Sequence, residues 1–292
     1  MRMKNADRGI LSHYDLRKPK YKLMYILMIL IIAAMVCSML YPVTVMLFNA
    51  FKPNTEVNSF PPTYFPNEVE WGNFHKAWDF IDIPLFFRNT LYIFLGNITV
   101  IFTALGLAAF SLSRLNIPYK KGIYFFFLMT LFIPPTTYII PNFVNLKDFG
   151  LLNSFAALWL PAGANAFFLL LLKTFFDEIH HEIFEAARMD GASEWRCFFQ
   201  IAVPLSIPIF STLGIFIFAA VWNDWFWPSM VMHDNQKYPL STAIYQYVIQ
   251  ARRLDLNVKF AILSMVTIPP IAVFLLFQKF IMRGLHLGGV KG

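Results

Sequence analysis

The sequence predicts an all-α polytopic membrane protein with six spanning helices, and three observations carry that prediction. Hydrophobic residues make up 58% of the 292 and charged ones only 14%, where a soluble domain carries about 25% charge. Six uncharged runs each come close to or exceed the roughly 20 residues that cross hydrocarbon as a helix. Lysines and arginines collect in alternate connecting segments, the pattern that sets orientation in a bilayer. A mean hydropathy of +0.54 agrees. The net charge of +7 does not point to nucleic acid, because no clustered polar domain carries it.

The runs justify the helices in order. Residues 23–51 are uncharged and give a first span at about 23–47, behind a basic tail, residues 1–22, with Arg2, Lys4, Arg8, Arg17, Lys18, Lys20 and Lys22. This run starts too late and is too long for a secretory leader, so it reads as a retained span. Residues 52–86 are proline-rich and mixed polar (F-K-P-N-T-E-V, then F-P-P-T-Y-F-P-N) and read as an ordered outer cap with a short helix near 73–80. Residues 89–113 supply a second span (89–111), 122–146 a third (122–141) and 149–172 a fourth (151–172). Residues 197–223 feed a fifth (205–228) and 260–278 a sixth (260–281), so the membrane domain is 23–284 and a short tail follows at 285–292. The polar window 238–251 reads as an amphipathic or surface helix outside the membrane. With the basic tail inside, Arg114, Lys120, Lys121, Lys173, Arg188, Arg196, Lys279, Arg283 and Lys291 fall inside too. Both termini are then cytoplasmic, with Arg252 and Arg253 against the trend. Cys37 and Cys197 suggest neither a disulfide framework nor a metal site.

Several spans hold residues that disturb helices. Pro134, Pro135, Pro141, Pro161, Pro269 and Pro270 are expected to kink or unwind theirs, which a membrane tolerates only against protein or a wet cavity. Asn97 and Asn165 read as hydrogen-bonding glue to a neighbouring helix or, less directly, as ligand contacts. Asp224, in V-W-N-D-W-F-W-P, is costly near a membrane helix unless paired or wet. With Trp222, Trp225 and Trp227 it reads as an interfacial belt with local structure, a subunit contact, or a group touching a passing solute. Asn97, Pro134, Pro135, Asn223 and Asp224 are therefore candidates for a translocation path or subunit contact.

The charged insert D-E-I-H-H-E-I-F-E-A-A-R-M-D-G-A-S-E-W-R lies between spans four and five. Three- and four-residue spacings put Ile179, Ile183, Ala186, Ala187 and Met189 on one side of a helix, with Glu178, Glu182, Glu185 and Arg188 on the other. Gly191 permits the left-handed turn that ends a helix, and a second helical piece at 193–201 leads on to Pro204 and Pro208. The small Ala186 and Ala187 let a partner approach the backbone closely. Lipid-surface helices are usually basic, whereas this insert is net acidic, so it reads as a protein-docking element.

These residues resemble the E-A-A loop of membrane-spanning subunits of ATP-binding-cassette importers. Glu185-Ala186-Ala187, Gly191, Ile201 and Pro204 stand in register, with Val203 for the usual leucine. Asp190, Gly191 and Ala192 match the D-G-A of the carbohydrate-uptake, MalG-like branch, and His180 stands where that branch has proline. Trp222-Asn223-Asp224-Trp225, residues 284–292, Asn49 to Pro53 and Phe87-Arg88-Asn89-Thr90 are also similar. The resemblance implies a type I importer permease fold with a cytoplasmic coupling helix. It implies that this helix enters a cleft on an ABC ATPase subunit with Glu185 facing a basic residue. Further implied partners are a second, MalF-like permease subunit, two such ATPases, an extracytoplasmic solute-binding protein and a carbohydrate substrate. No cofactor is expected on this chain, since no G-x-x-x-x-G-K-[ST] run occurs in it; ATP and Mg would sit on the ATPases of a bacterial or archaeal plasma membrane.

Two other readings fit less well. A secondary transporter working alone wants buried ionisable groups near the midplane, and none is visible. A membrane enzyme needs His, Asp, Glu or Cys clustered at one depth, whereas His180 and His181 are adjacent and diverge on a helix.

Overall fold

A computed structural model describes residues 19–287, with side-chain environments to residue 278. Most of the basic tail, the side chains of Lys279 and Arg283, and the last five residues of the glycine-rich terminal motif lie outside the described residues. Among the described residues every regular element is helical. The chain divides into two units: residues 1–77 with 255–265, and 78–254 with 266–292.

The first unit holds helix α1 (Pro19–Ala50), the short α2 (Asn54–Val57) and most of α3 (Gly72–Phe80). It also takes the first turns of the last helix, α14 (Leu256–Leu287). α1 is apolar all round and none of its membrane-span window is buried, which is how a helix bathed in lipid reads. The expected outer cap is ordered by buried polar groups. Asn73 donates to Ala50 O (3.0 Å) and Lys52 O (2.9 Å) and accepts from Asn257 Nδ2 at 2.8 Å. Lys52, itself buried, reaches Thr63 O at 2.5 Å. Such groups stay buried only because each is paired.

The second unit starts with α4 (Ile83–Arg114), which runs unbroken through a π-turn at Ile101–Leu105. Next come α5 (Lys120–Thr130) and α6 (Pro135–Asp148), bent by 98°, then α7 (Ala156–Ala164) and α8 (Ala166–Glu178), bent by 54°. After α9 (His181–Met189) follow α10 (Glu194–Leu205) and α11 (Ile207–Asn223), bent by 75°. α12 (Phe226–Val231) and α13 (Leu240–Ala243), the latter prolonged as a π-turn to Ile249, precede the rest of α14. Counting each bent pair as one span gives six, in agreement with the uncharged runs.

The prolines divide into two groups. Pro134 and Pro135 sit at the 98° break and Pro161 opens the 3-10 turn before the 54° break. Pro269 and Pro270 do not unwind theirs, since α14 continues through them. Pro141 also leaves its helix intact because it lies in the first turn of the α-helical part of α6, Ile139–Asp148, where no N–H is required. Asn165 does not glue neighbouring helices. It caps its own, with Oδ1 accepting from Phe168 N at 3.0 Å, because the break at Pro161 leaves a helix start with free N–H groups to satisfy. The window 238–251 is no surface helix either: Leu240, Thr242, Ala243 and Val248 are buried, and Leu240 N donates to Thr90 Oγ1 at 2.9 Å.

Glycine sets one close packing. A Cβ on Gly96 would lie 2.1 Å from the Trp159 ring, and one on Gly163 2.8 Å from Val100, so α4 and α7 touch where side chains are missing. At the other end of α4 an aromatic cluster forms the core. Phe110 meets Phe198 at 5.4 Å, Phe184 at 6.0 Å and Phe176 at 6.2 Å, joining α4, α8, α9 and α10.

Candidate coupling site

α9 forms because its nine residues include good helix formers, with Glu182 in the first turn and Arg188 in the last, where each complements the helix dipole. Gly191 ends it at φ +83°. Ala192 N bonds to Ala187 O at 2.9 Å and Gly191 N to Arg188 O at 3.0 Å, the paired closure of a Schellman turn. A Cβ at Gly191 would meet nothing, so the backbone conformation alone demands glycine there. Ser193 then caps α10, its Oγ accepting from Arg196 N at 3.4 Å.

Glu185, Ala186, Ala187, Asp190, Gly191 and Ala192 thus share one helix-and-turn. Ile201 and Pro204 stand further along α10, ahead of the bend at Ser206. Ile183, Ala186 and Met189 are exposed, and Ala187 is half-buried. The residue that roots α9 is Phe184, fully buried, and sequence reasoning missed it. The available signal was that it is the sole aromatic in the helix. Glu185 is exposed beside His181 Nδ1 at 3.0 Å. Arg188 binds Glu194 with two parallel bonds of 2.8 and 3.1 Å, closing a fork across the Gly191 turn.

The candidate path residues are only partly gathered. Asn97 and Asp224 line one small cavity of about 40 Å³ with Trp227 and Pro228. There Asp224 Oδ1 caps α12, accepting from Phe226 N (3.2 Å) and Trp227 N (3.1 Å), and Asn97 Oδ1 is buried without a hydrogen-bond partner. Asn223 is exposed and turns back to Ala219 O at 2.7 Å. Pro134 and Pro135 are exposed at their break. Of the tryptophans, Trp225 stacks on Tyr245 at 3.8 Å and Trp227 Nε1 donates to Ala157 O at 3.3 Å, so both build local structure.

A cavity of about 630 Å³ lies between α4, α10, α11 and α14 and is lined by Phe94, Phe102, Phe210, Phe218 and similar groups. Its two hydroxyls, Thr103 and Ser211, both donate to carbonyls four residues back in their own helices. A polyhydroxylated solute would find almost no partners there.

A bundle of apolar spans, three of them broken, with an acidic helix–glycine–helix insert between two of them, defines a polytopic component of membrane transport. The family model described as "binding-protein-dependent transport system inner membrane component" matches residues 100–286. The chain is 30% identical over 241 residues to a diacetylchitobiose uptake system permease protein of Streptomyces coelicolor, covering 82% of this chain and 80% of that one. It is 29% identical to a melibiose/raffinose/stachyose import permease protein of Bacillus subtilis, covering 90% and 95%. A solved bacterial ABC transporter involved in alginate import shares the fold at TM-score 0.81 and 21% identity, over 93% of this chain and 99% of that one. The chain belongs to the family of inner-membrane components of binding-protein-dependent transport systems, and its fold is that of the type I importer permeases.

Proposed function

We propose that the chain is a permease subunit of an ATP-driven carbohydrate importer, and that α9 with its glycine turn is where a partner ATPase takes hold. The observation that carries this is the form of α9: a short acidic helix rooted by Phe184, presenting Ile183, Ala186 and Glu185 outward and closed by Gly191. Small and apolar groups beside an acidic rim suit a basic-edged cleft on a protein better than a lipid surface. Relatives named for oligosaccharide uptake support a carbohydrate as the solute. The apolar lining of the 630 Å³ cavity supports a path shared with a second permease subunit rather than one bored through this chain. ATP and Mg belong to two ATPase subunits, an extracytoplasmic binding protein delivers the solute, and both termini lie on the α9 side, the cytoplasm.

The test replaces Glu185 by Lys and Gly191 by Val in the complete importer. Both variants are expected to leave the permease folded while losing co-purification of the ATPase or its stimulated hydrolysis. A thermal-shift screen of the cognate binding protein against oligosaccharides identifies the solute class. Normal ATPase capture and hydrolysis in both variants would overturn the coupling role, and a binding protein indifferent to every saccharide would overturn the carbohydrate.

A further inference from the structure

Two short joints separate α9 from its neighbours. The first is Ile179-His180, where the backbone is extended on leaving α8. The second is the Gly191 turn. An extended two-residue joint is flexible by itself, so a push on α9 would swing the helix without moving a span. Arg114, the last residue of α4, lies across the first joint. Its Nη2 donates to Phe176 O before the joint and to Ile179 O within it, and its guanidinium lies 4.8 Å over the ring of Phe184 beyond it. Phe176 O already accepts from Ile179 N at 3.3 Å, and the carbonyls at the end of α8 sit at the negative end of the helix dipole, which suits a cation as a further donor.

The second joint is closed in the same manner. The Arg188–Glu194 fork spans Gly191, and Arg188 Nη2 reaches Arg114 O at 3.5 Å. A parallel tie, Ser113 Oγ to Asp177 Oδ1 at 2.6 Å, joins α4 to α8 directly. Resting on the coupling reading above, we propose that Arg114 is a positioning residue that locks α9 to the ends of α4 and α8, so that displacement of α9 moves both spans as one body. Only arginine serves all three contacts, because its planar fork serves separated acceptors while its face stacks on a ring; a lysine ammonium is a single point charge.

The test uses the complete importer with its partner subunits, with and without trapping by Mg-ATP and vanadate, read by amide hydrogen exchange in residues 106–116 and 181–190. In the parent protein both segments are expected to change on trapping. In Arg114→Gln, 181–190 still responds while 106–116 stays at its nucleotide-free level, and Arg114→Lys falls between. A parent-like response of 106–116 in Arg114→Gln overturns the proposal and leaves the coupling site standing. No response of 181–190 in the parent overturns the coupling site itself, and this proposal with it. If Arg114→Gln does not assemble, Arg114→Lys decides: a full response overturns the proposal and a partial one supports it. Loss of assembly in both makes Arg114 a folding residue and overturns it as well.

Discussion

Replacing Gly96 by Ala adds one carbon where the Trp159 ring stands 2.1 Å away. No Cβ tolerates that distance, so the indole must turn or α7 must retreat from α4. Forcing a methyl group into a packed contact costs roughly 1–3 kcal/mol. Turning the indole also loosens its contacts with Tyr92 (5.2 Å) and Phe155 (6.2 Å), worth about 0.5–1.5 kcal/mol each. The whole is about 2–6 kcal/mol, a fall in thermal midpoint on the order of 5–20 °C. The assay is thermal unfolding of the purified complex for Gly96→Ala, Trp159→Leu and the double variant. Removing the indole removes the obstacle, so the alanine should cost much less in the Trp159→Leu background, a coupling that a double-mutant cycle isolates. Equal cost in both backgrounds, or no cost in the parent, would refute the close-packing argument.

Asn73→Leu leaves Ala50 O without its side-chain donor and takes one of the two acceptors of Asn257 Nδ2, which keeps Lys52 O at 3.3 Å. At about 1–3 kcal/mol for a buried group left unpaired, here Ala50 O, exchange or proteolysis across residues 51–77 should accelerate markedly, and an unchanged rate contradicts the network. Glu56 is held below the ordinary glutamate range, first by the Thr63 hydroxyl and then by the Asn67 N–H. Its lowered value means that the stabilisation is present above the ordinary pKa and disappears as pH falls through the folded one. Protection of residues 51–77 should therefore drop below about pH 4, and Glu56→Gln should remove that step.

The spans were legible because charge is so expensive in hydrocarbon that its gaps outline them directly. The α9 hinge was legible because Gly191 needs a conformation other residues resist. Pro134, Pro135 and Pro161 marked real breaks, whereas Pro269 and Pro270 did not, since proline weakens a helix locally and the flanking turns decide whether it holds. Asn165 was misread because glue and cap use the same amide, and only the backbone at the break separates them. Phe184 and Arg114 were hidden for another reason: their partners lie more than 60 residues away in sequence or belong to a joint visible only when folded.

The bare first helix has a consequence outside the bilayer. A rod of about 48 Å with none of its span window buried carries exposed Leu, Ile and Met side chains along its length. Detergent or lipid must therefore coat it once the protein leaves the membrane, and in plain water that face would stick to any other apolar surface.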